Sequence, residues 1–286
     1  MAARTVYITG ERGDVGSMLQ AYLAERDCLA VPLDQGQPGR ARRLLHLAAK
    51  SPPASPRELA ASNLVYLRRC MEKALALGVE EVVFFSAMSV YGNPDQEGLG
   101  EHGPFTPPSL YGLSKLKGER YLASLPLRAL CLRLPALLAR RNTTNLLARF
   151  SARLRQGQDL ELTNPDRLFN NFLGVDDLGA FLLSVRLRET WDAINLASDK
   201  KLTLEEVARL LRAGLDSGSE IIRGPGRAPF FNISTLRAQT CYGFQPPDPT
   251  AVIGRWLDAG RAIGPGLPTG HEPGTPDRRP TALDKG

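Results

Sequence analysis

The stretch V-Y-I-T-G-E-R-G-D-V-G, from Val6 to Gly16, decides the fold of this chain. It opens with an apolar run that is typical of a buried strand, and apolar residues at helical spacing follow it. Between the two lies a turn with three glycines: Gly10, Gly13 and Gly16. Glycines let a backbone approach a pyrophosphate closely, and the N-terminus of the next helix offers unpaired N–H groups to it. The stretch therefore predicts a strand, a phosphate-binding turn and a helix.

An acidic residue supports the same interpretation. Asp34 follows a second apolar run, Cys28 to Leu33, and lies eighteen residues beyond Gly16. In a dinucleotide-binding fold, this is the place of the carboxylate that binds the adenosine ribose. Asp34 favours NAD as the cofactor, because it would repel a 2′-phosphate. NADP is left open by Arg12 within the turn and by three arginines of the segment that follows: Arg40, Arg42 and Arg43.

The composition of the 286 residues is that of an ordinary globular protein, with a net charge of +6. That charge suits an anionic substrate, but no basic stripe is interleaved with aromatic residues, so a nucleic-acid partner is not expected. No apolar run is long enough for a membrane span, and the first strand begins too early for a signal peptide. The cysteines have no metal-binding spacing and are expected to be reduced, buried thiols of a cytoplasmic protein: Cys28, Cys70, Cys131 and Cys241.

The first two thirds of the chain alternate strands with helices, which predicts a doubly wound parallel α/β sheet with helices on both faces. Ser55 indicates a helix start, as do Thr203 and Glu206 together, and Asp176 is expected to cap a helix that runs to Val185. Residues 263–286, rich in Gly, Pro and charge, are expected to be a disordered tail. Further strands are expected over residues 44–48, 82–86, 130–134 and 193–196.

One connection is unusually short. Eleven residues, Q-G-Q-P-G-R-A-R-R-L-L, separate Asp34 from His46. A complete doubly wound sheet needs a helix, a third strand and another helix here, and one parallel crossover alone takes a dozen or more residues. We therefore expect a sheet that lacks its usual edge strand, with a shallower adenine pocket and weaker cofactor binding.

Seven motifs give the chain a resemblance to a known family. From Val6 to Asp258 it resembles the extended short-chain dehydrogenase/reductases, in their NAD-dependent epimerase/dehydratase group. Each motif alone is weak, whereas the shared order is specific. The motifs are T-G-x-x-G-x-x-G at Thr9 to Gly16, H-L-A-A at His46 to Ala49, S-x-x-S-V-Y-G at Ser86 to Gly92, Y-G-L-S-K at Tyr111 to Lys115, L-R-L-P at Leu132 to Pro135, N-N-F-L-G-V-D-D-L at Asn170 to Leu178, and I-N-L-A-S at Ile194 to Ser198.

This resemblance implies a Rossmann-type dinucleotide-binding domain over residues 1–139, to which residues 170–197 return. Residues 140–169 and 198–262 would form a small substrate-binding region. His46 is expected to pack in the core rather than to act as a catalyst. The residues expected to hold the cofactor are Gly10, Arg12, Gly13, Asp14, Val15, Gly16, Asp34, Leu47, Ala48, Ala49, Tyr111, Lys115 and Pro135.

Tyr111 and Lys115 are the expected catalytic pair. Four residues apart on a helix, they share one face. A nearby ammonium, together with the positive nicotinamide, favours the tyrosinate and lowers the pKa of Tyr111 toward working pH. Tyr111 would then act as general acid/base on a sugar hydroxyl or ketone while hydride moves to or from the nicotinamide. By the resemblance, Lys115 also holds the nicotinamide ribose.

The third catalytic group of the family is left open. Relatives carry Ser or Thr four residues before the tyrosine of V-Y-G, where this chain has Ala87. Ser86 and Ser89 flank that place, and both remain candidates for the hydroxyl, as does a site without one. Ser89 is favoured slightly, because the strand ends there and regular alternation would point the neighbours of Ala87 to the other face.

Two departures from the motifs of the family narrow the set of expected reactions. The 4,6-dehydratases of the family carry Asp-Glu where this chain has Met88-Ser89, which argues against dehydration. Ala136 stands where relatives have an Asn that contacts the nucleotide sugar. Residues 164–171 instead resemble a subgroup found with polysaccharide sugar biosynthesis. The expected substrate contacts are Ser89, Tyr91 and Asn170.

The resemblance thus implies redox chemistry at C4 of a nucleotide-linked sugar, as a 4-epimerase or 4-ketoreductase, in polysaccharide or sugar-nucleotide biosynthesis. One alternative is a ketoreductase of a small non-nucleotide metabolite, which Ala136 favours. Another is a dinucleotide-binding protein with little catalysis, which Ala87 and the short connection favour. The expected partner is a nucleotide sugar, a homodimer is left open, and neither a metal nor a membrane is expected.

Overall fold

The computed structural model of the chain describes residues 4–140 and 145–262, so the tail expected over residues 263–286 lies outside the described residues. Within them, the main sheet has six parallel strands in the order β10-β6-β4-β3-β1-β2. The strands are β1 (Arg4–Thr9), β2 (Cys28–Pro32), β3 (Arg43–His46), β4 (Glu81–Ala87), β5 (Gln96–Leu99), β6 (Arg128–Leu134), β7 (Ala136–Leu138), β8 (Leu160–Leu162), β9 (Phe172–Gly174), β10 (Trp191–Asn195), β11 (Ile221–Arg223) and β12 (Phe231–Ile233).

Helices cover both faces of this sheet. They are α1 (Asp14–Ala24), α2 (Pro56–Ala60), α3 (Tyr66–Ala76), α4 (Leu110–Leu122), α5 (Leu146–Arg155), α6 (Val175–Ser184), α7 (Leu204–Gly214), α8 (Leu236–Tyr242) and α9 (Pro249–Ala262). One apolar cluster joins α1 and α6 to the sheet through Leu19 and Phe181. Another joins α3 and α4 to the opposite face through Met71 and Leu122. A buried core on each face confirms the doubly wound architecture.

A third apolar cluster lies beside the sheet. It packs α5, α7 and α9 together through Leu147, Leu211 and Ile253. These helices belong to the two segments expected to form the substrate-binding region, and the division of the chain into two domains stays a prediction.

The short connection has the expected consequence. Strand β2 is the edge of the main sheet and pairs only with β1, while β3, the next strand in the chain, lies on the other side of β1. The connection crosses the face of the sheet, since the Tyr7 hydroxyl donates to the Gln37 carbonyl and the Gly39 N–H donates to the Leu77 carbonyl at 3.1 Å. The sheet therefore lacks the usual third strand, as predicted.

Two of the predicted helix starts are confirmed. Ser55 and Thr203 each form a capping box, with Glu58 and Glu206 respectively. The assignment of Asp176 as an N-cap is wrong, because β9 runs straight into α6 and leaves Gly174 at the cap. Asp176 instead lies in the first turn, where its charge favours the positive end of the helix dipole.

Helix α4 approaches the end of β4 very closely. The Ser109 hydroxyl caps it by accepting from the Gly112 N–H at 3.2 Å. A Cβ on Gly112 would lie 2.1 Å from the carbonyl oxygen of Ser89, in the turn that follows β4. Only glycine therefore lets the helix come this close. The close approach sets the first turn of α4 against the carboxyl end of β4.

Substitution of Gly112 by Ala should therefore destabilise the protein, because a backbone atom must move to admit the methyl group. We expect a loss of about 1–3 kcal/mol in the free energy of unfolding, measured by urea denaturation. Gly254→Ala in α9 is the matched control, since nothing lies within 4 Å of its added Cβ. There the better helix propensity of alanine should stabilise the protein by up to about 1 kcal/mol. Equal stabilities of the two variants would contradict the close contact.

Candidate active site

A cavity of about 1150 Å³ opens at the carboxyl ends of the main-sheet strands. Its wall includes the glycine turn after β1, the residues after β3, the end of β4 and the segment after β6. In an open α/β sheet, ligands bind outside these carboxyl ends. The candidate residues on its wall are Gly10, Gly13, Asp14, Val15, Gly16, Leu47, Ala48, Ala49, Ser86, Tyr111, Lys115 and Pro135.

The three glycines of the turn have different surroundings. Gly10 has a φ of +79°, and a Cβ there would lie 2.8 Å from the Ala48 nitrogen. A Cβ on Gly16 would lie 2.1 Å from the Gly10 carbonyl oxygen. For Gly13 only that same oxygen comes near, at 3.2 Å, and the residue borders the cavity. Gly10 and Gly16 thus fold the turn, whereas Gly13 leaves space in front of the α1 N-terminus that a pyrophosphate fits.

Lys115 is buried on the wall beside Tyr111. Its side chain rises from α4 to the end of β4, where Nζ donates to the Phe85 carbonyl at 2.7 Å. The ammonium lies 4.9 Å from the centroid of the Phe84 ring and 5.9 Å from that of Tyr111. Burial lowers the pKa of Lys115 to about 8. The helical spacing therefore does bring the two side chains together, with one ammonium near the aromatic rings.

The expected direction of the Tyr111 pKa is wrong for this structure. Burial raises the pKa of Tyr111 to about 12 rather than lowering it. The reason is that the Lys115 ammonium is directed to the Phe85 carbonyl, while the phenol is largely shielded from water. At neutral pH Tyr111 is thus a protonated phenol, which is the form that can donate a proton.

Neither flanking serine turns its hydroxyl to the cavity. Ser86 borders the cavity, but its hydroxyl donates to the carboxylate of Glu119. Ser89 lies off the wall, and its Oγ is buried without a hydrogen-bond partner among the described residues. Ala87 itself is on the wall. The place where relatives present a hydroxyl is therefore occupied by a methyl group.

The two other expected substrate residues lie away from the cavity and hold the fold together. The Tyr91 hydroxyl donates to Asn195 Oδ1 at 2.7 Å and accepts from Arg133 Nη1 at 2.8 Å. Asn170 is buried and donates to the Ser198 and Ile233 carbonyls, at 3.1 and 2.9 Å. Both side chains already have their polar atoms satisfied by protein.

Of the residues expected to choose between NAD and NADP, Asp34 and Arg12 are exposed near the glycine turn, whereas Arg40, Arg42 and Arg43 lie at the other end of the sheet. Asp34 lies in a single 3₁₀ turn after β2, off the cavity wall, and its backbone carbonyl accepts from Lys73 Nζ at 2.9 Å. The Arg12 side chain is 92% exposed, with its Nε 3.7 Å from a carboxylate oxygen of Glu11. Their side chains are free to meet a ligand at the rim of the glycine turn, but the cavity wall does not include them.

His46 packs in the core, as expected. It is 1% exposed, its ring stacks on Phe84 with centroids 5.9 Å apart, and its Nδ1 lies 2.9 Å from Thr9 Oγ1. Burial, with a smaller effect of the Lys115 charge, lowers the pKa of His46 to about 3. The imidazole is therefore neutral at physiological pH.

Several residues of the cavity wall lie outside the recognised sequence motifs. Asn145 caps α5, since its Oδ1 accepts from the Ala148 N–H at 2.9 Å, and its buried Nδ2 has no partner among the described residues. A π-helical turn, Ala61–Val65, carries others between α2 and α3. For that segment the sequence indicated only a helix start at Ser55. The remaining unforeseen wall residues include Lys50, Ser51, Ser62, Tyr66 and Arg69.

None of the helices within residues 4–140 and 145–262 has the length and apolar character needed to cross a lipid bilayer. In the same residues, no group of three or more His, Cys, Asp or Glu side chains is placed to hold a metal ion.

The fold is similar to the folds of several solved structures. RMD from Pseudomonas aeruginosa, complexed with NADPH, superposes with a TM-score of 0.76 and 22% identity, over 91% of this chain and 99% of that chain. UDP-glucose 4-epimerase from Thermotoga maritima, with UDP-glucose, gives 0.72 and 18% over the same shares. A short-chain dehydrogenase/reductase superfamily protein from Agrobacterium tumefaciens, with bound NAD, gives 0.72 and 21% over 91% and 98%.

The sequence itself was compared in two ways. It matches none of the curated proteins. The model of the NAD dependent epimerase/dehydratase family matches residues 40–196, which is more than half of the chain. That match confirms what the seven motifs indicated, and the chain belongs to the NAD dependent epimerase/dehydratase family.

Proposed function

We propose that this chain is an NAD(P)-dependent enzyme that carries out redox chemistry at C4 of a nucleotide-linked sugar, as a 4-ketoreductase or 4-epimerase. The observation that carries the proposal is that Tyr111 and Lys115 share one cavity with the glycine turn. Its volume of about 1150 Å³ exceeds the roughly 300–1,000 Å³ usual for one drug-sized ligand, so it has room for a cofactor and a substrate together. The UDP-sugar and NADPH complexes of the structural neighbours support the same assignment.

The glycine turn and the α1 N-terminus would hold the pyrophosphate of the cofactor. Asp34 at the rim favours NAD by its charge, and Arg12 leaves NADP open. When bound, the cofactor supplies or accepts the hydride. The buried ammonium of Lys115 lies where it can meet the nicotinamide ribose and add positive charge next to the reacting atoms.

The phenol of Tyr111 would handle the proton. Since its pKa is raised to about 12, it donates a proton to a C4 keto oxygen as hydride arrives, and the positive charge of Lys115 stabilises the tyrosinate that remains. The reverse direction requires that tyrosinate as a base. The same residue can therefore serve a 4-ketoreductase or a 4-epimerase, because it donates the proton in reduction and accepts it in oxidation.

Two alternatives rest on particular residues. Ala136 is on the cavity wall in place of a nucleotide-sugar contact, which favours a small non-nucleotide ketone as the substrate. Ala87 gives the wall no hydroxyl, which favours a binding protein with little catalysis. Mass spectrometry of small molecules that copurify, followed by assays with keto sugars and NAD(P)H, separates these from the main proposal. Reduction of a nucleotide-linked 4-keto sugar, or 4-epimerisation of a nucleotide sugar, supports it, and cofactor binding with neither reaction overturns it.

Substitution of Gly13 by Val should prevent dinucleotide binding while the protein stays folded. The added side chain has only the Gly10 oxygen nearby, so it fills the space in front of the α1 N-terminus. Calorimetric titration with NAD and NADP should show at least a tenfold loss of affinity, which is about 1.4 kcal/mol. Unchanged affinity would show that the turn is only structural.

Tyr111→Phe should keep the fold and the cofactor affinity but lose at least roughly a hundredfold in turnover, the usual contribution of a positioned acid/base. Tyr66→Phe is the matched control, because Tyr66 borders the same cavity. Its turnover should stay within about threefold of the native rate, since no proton-transfer role is assigned to it. Near-native turnover of Tyr111→Phe would remove that residue from the mechanism.

Ala87→Ser should raise turnover by roughly tenfold or more, because it adds a donor on the cavity wall where charge develops. Ser89→Ala is the comparison variant, since the Ser89 hydroxyl lies off the wall and should leave turnover unchanged. Steady-state kinetics of both variants show whether the native site lacks the hydroxyl or takes it from Ser89. A loss of turnover in Ser89→Ala, with no gain in Ala87→Ser, would mean that Ser89 already supplies the hydroxyl.

A further inference from the structure

A second cavity, of about 580 Å³, lies at the opposite end of the main sheet. Four strands contribute their first residues to its wall: Arg4 of β1, Arg43 of β3, Glu81 of β4 and Arg128 of β6. The candidate active site occupies the carboxyl ends of the same strands. The two cavities are therefore separated by the length of the sheet. The redox chemistry proposed for the first cavity does not explain why arginines line the second.

The wall of this second cavity is strongly cationic. Among the described residues that line it, Glu81 is the only acid. Glu81 accepts from Arg43 Nη2 at 2.7 Å and from Arg128 Nη2 at 2.8 Å, so one carboxylate faces two guanidinium groups. The cations of the wall are Arg4, Arg40, Arg42, Arg43, Arg128 and Arg186.

Half of these arginines lack a carboxylate partner. Arg42 pairs with Glu80, as Arg43 and Arg128 pair with Glu81. Within residues 4–140 and 145–262, no such ion pair involves the three others: Arg4, Arg40 and Arg186. Like charges held in one concavity raise the local positive potential, which an anion would relieve.

One cation of this cavity, Arg43, is buried and held by a carboxylate. The Arg43 side chain is 8% exposed, and its Nε and Nη2 both donate to Glu81, at 2.8 and 2.7 Å. Arg40 and Arg42 reach this end of the sheet through the short connection, which Gly39 fastens to the Leu77 carbonyl at 3.1 Å. The segment that replaces the usual third strand is thus the one that carries arginines here.

We propose that this arginine-lined cavity binds a small anion that carries several phosphate groups. Guanidinium groups match the oxygens of phosphate with paired hydrogen bonds, and arginine is the residue that proteins use most for such recognition. The volume is in the range of a small-molecule site, which favours a compact polyphosphate over a nucleic acid. This site goes beyond the proposed redox function and does not depend on it.

Calorimetric titration with inorganic triphosphate tests the site. The variant Arg40→Ala/Arg186→Ala removes two cations that are exposed and have no ion-pair partner among the described residues, so the protein should stay folded, as circular dichroism can verify. We expect native protein to bind triphosphate and this variant to bind at least about tenfold more weakly. Arg57→Ala/Arg149→Ala is the control, with the same change of net charge at exposed residues outside both cavities. It should stay within about twofold of native affinity.

A second titration distinguishes binding in this cavity from binding at the glycine turn, which also favours phosphates. In Gly13→Val, triphosphate affinity should remain native, because the substitution lies at the other end of the sheet. Loss of binding in Gly13→Val but not in Arg40→Ala/Arg186→Ala would overturn the proposal, as would equal losses in the two arginine double variants. Absence of binding to native protein would overturn it as well.

Discussion

The buried ion pair between Glu119 and Arg133 fixes α4 on the sheet, and the geometry of the candidate active site depends on it. Arg133 Nη2 donates to Glu119 Oε2 at 2.8 Å, and the side chains are 6% and 1% exposed. The pair joins α4 to β6. Trp191 of β10 donates to the Glu119 backbone carbonyl, and Arg133 also donates to Tyr91. Removing one partner of such a pair typically costs about 3–5 kcal/mol, because the other charge is left buried and alone.

This network also explains the chemistry that the site lacks. The Glu119 carboxylate accepts from the Ser86 hydroxyl, which turns that group away from the cavity. The hydroxyl is thus bound to structure rather than offered to a substrate. What remains on the wall is the phenol of Tyr111 with the ammonium of Lys115 one helical turn away, and both have pKa values set by burial. In the proposed mechanism, proton donation then rests on a single phenol, with Lys115 as its electrostatic partner.

Local sequence patterns predicted the parts of the site that depend on a few consecutive residues. The glycine turn, the capping boxes and the helical pair Tyr111 and Lys115 were predictable for that reason, and the length of one connection was enough to predict the missing strand. Features that depend on packing between segments distant in the sequence could not be predicted. The Ser86 hydroxyl bonds to Glu119, 33 residues away, and the pKa of Tyr111 follows from burial that no motif reports. Asn145 had no signal in the sequence beyond its helix-capping type.

The short connection links the two ends of the molecule. With no third strand beside β2, Asp34 lies exposed in a 3₁₀ turn, which agrees with the prediction of a shallower adenine pocket. The same eleven residues cross the sheet face and deliver Arg40 and Arg42 to the amino ends of the strands. The short connection thus leaves Asp34 exposed at one end of the sheet and places positive charge at the other. Because the connection is bound to Tyr7 in β1 and to Leu77 after α3, its course is set by contacts with the core.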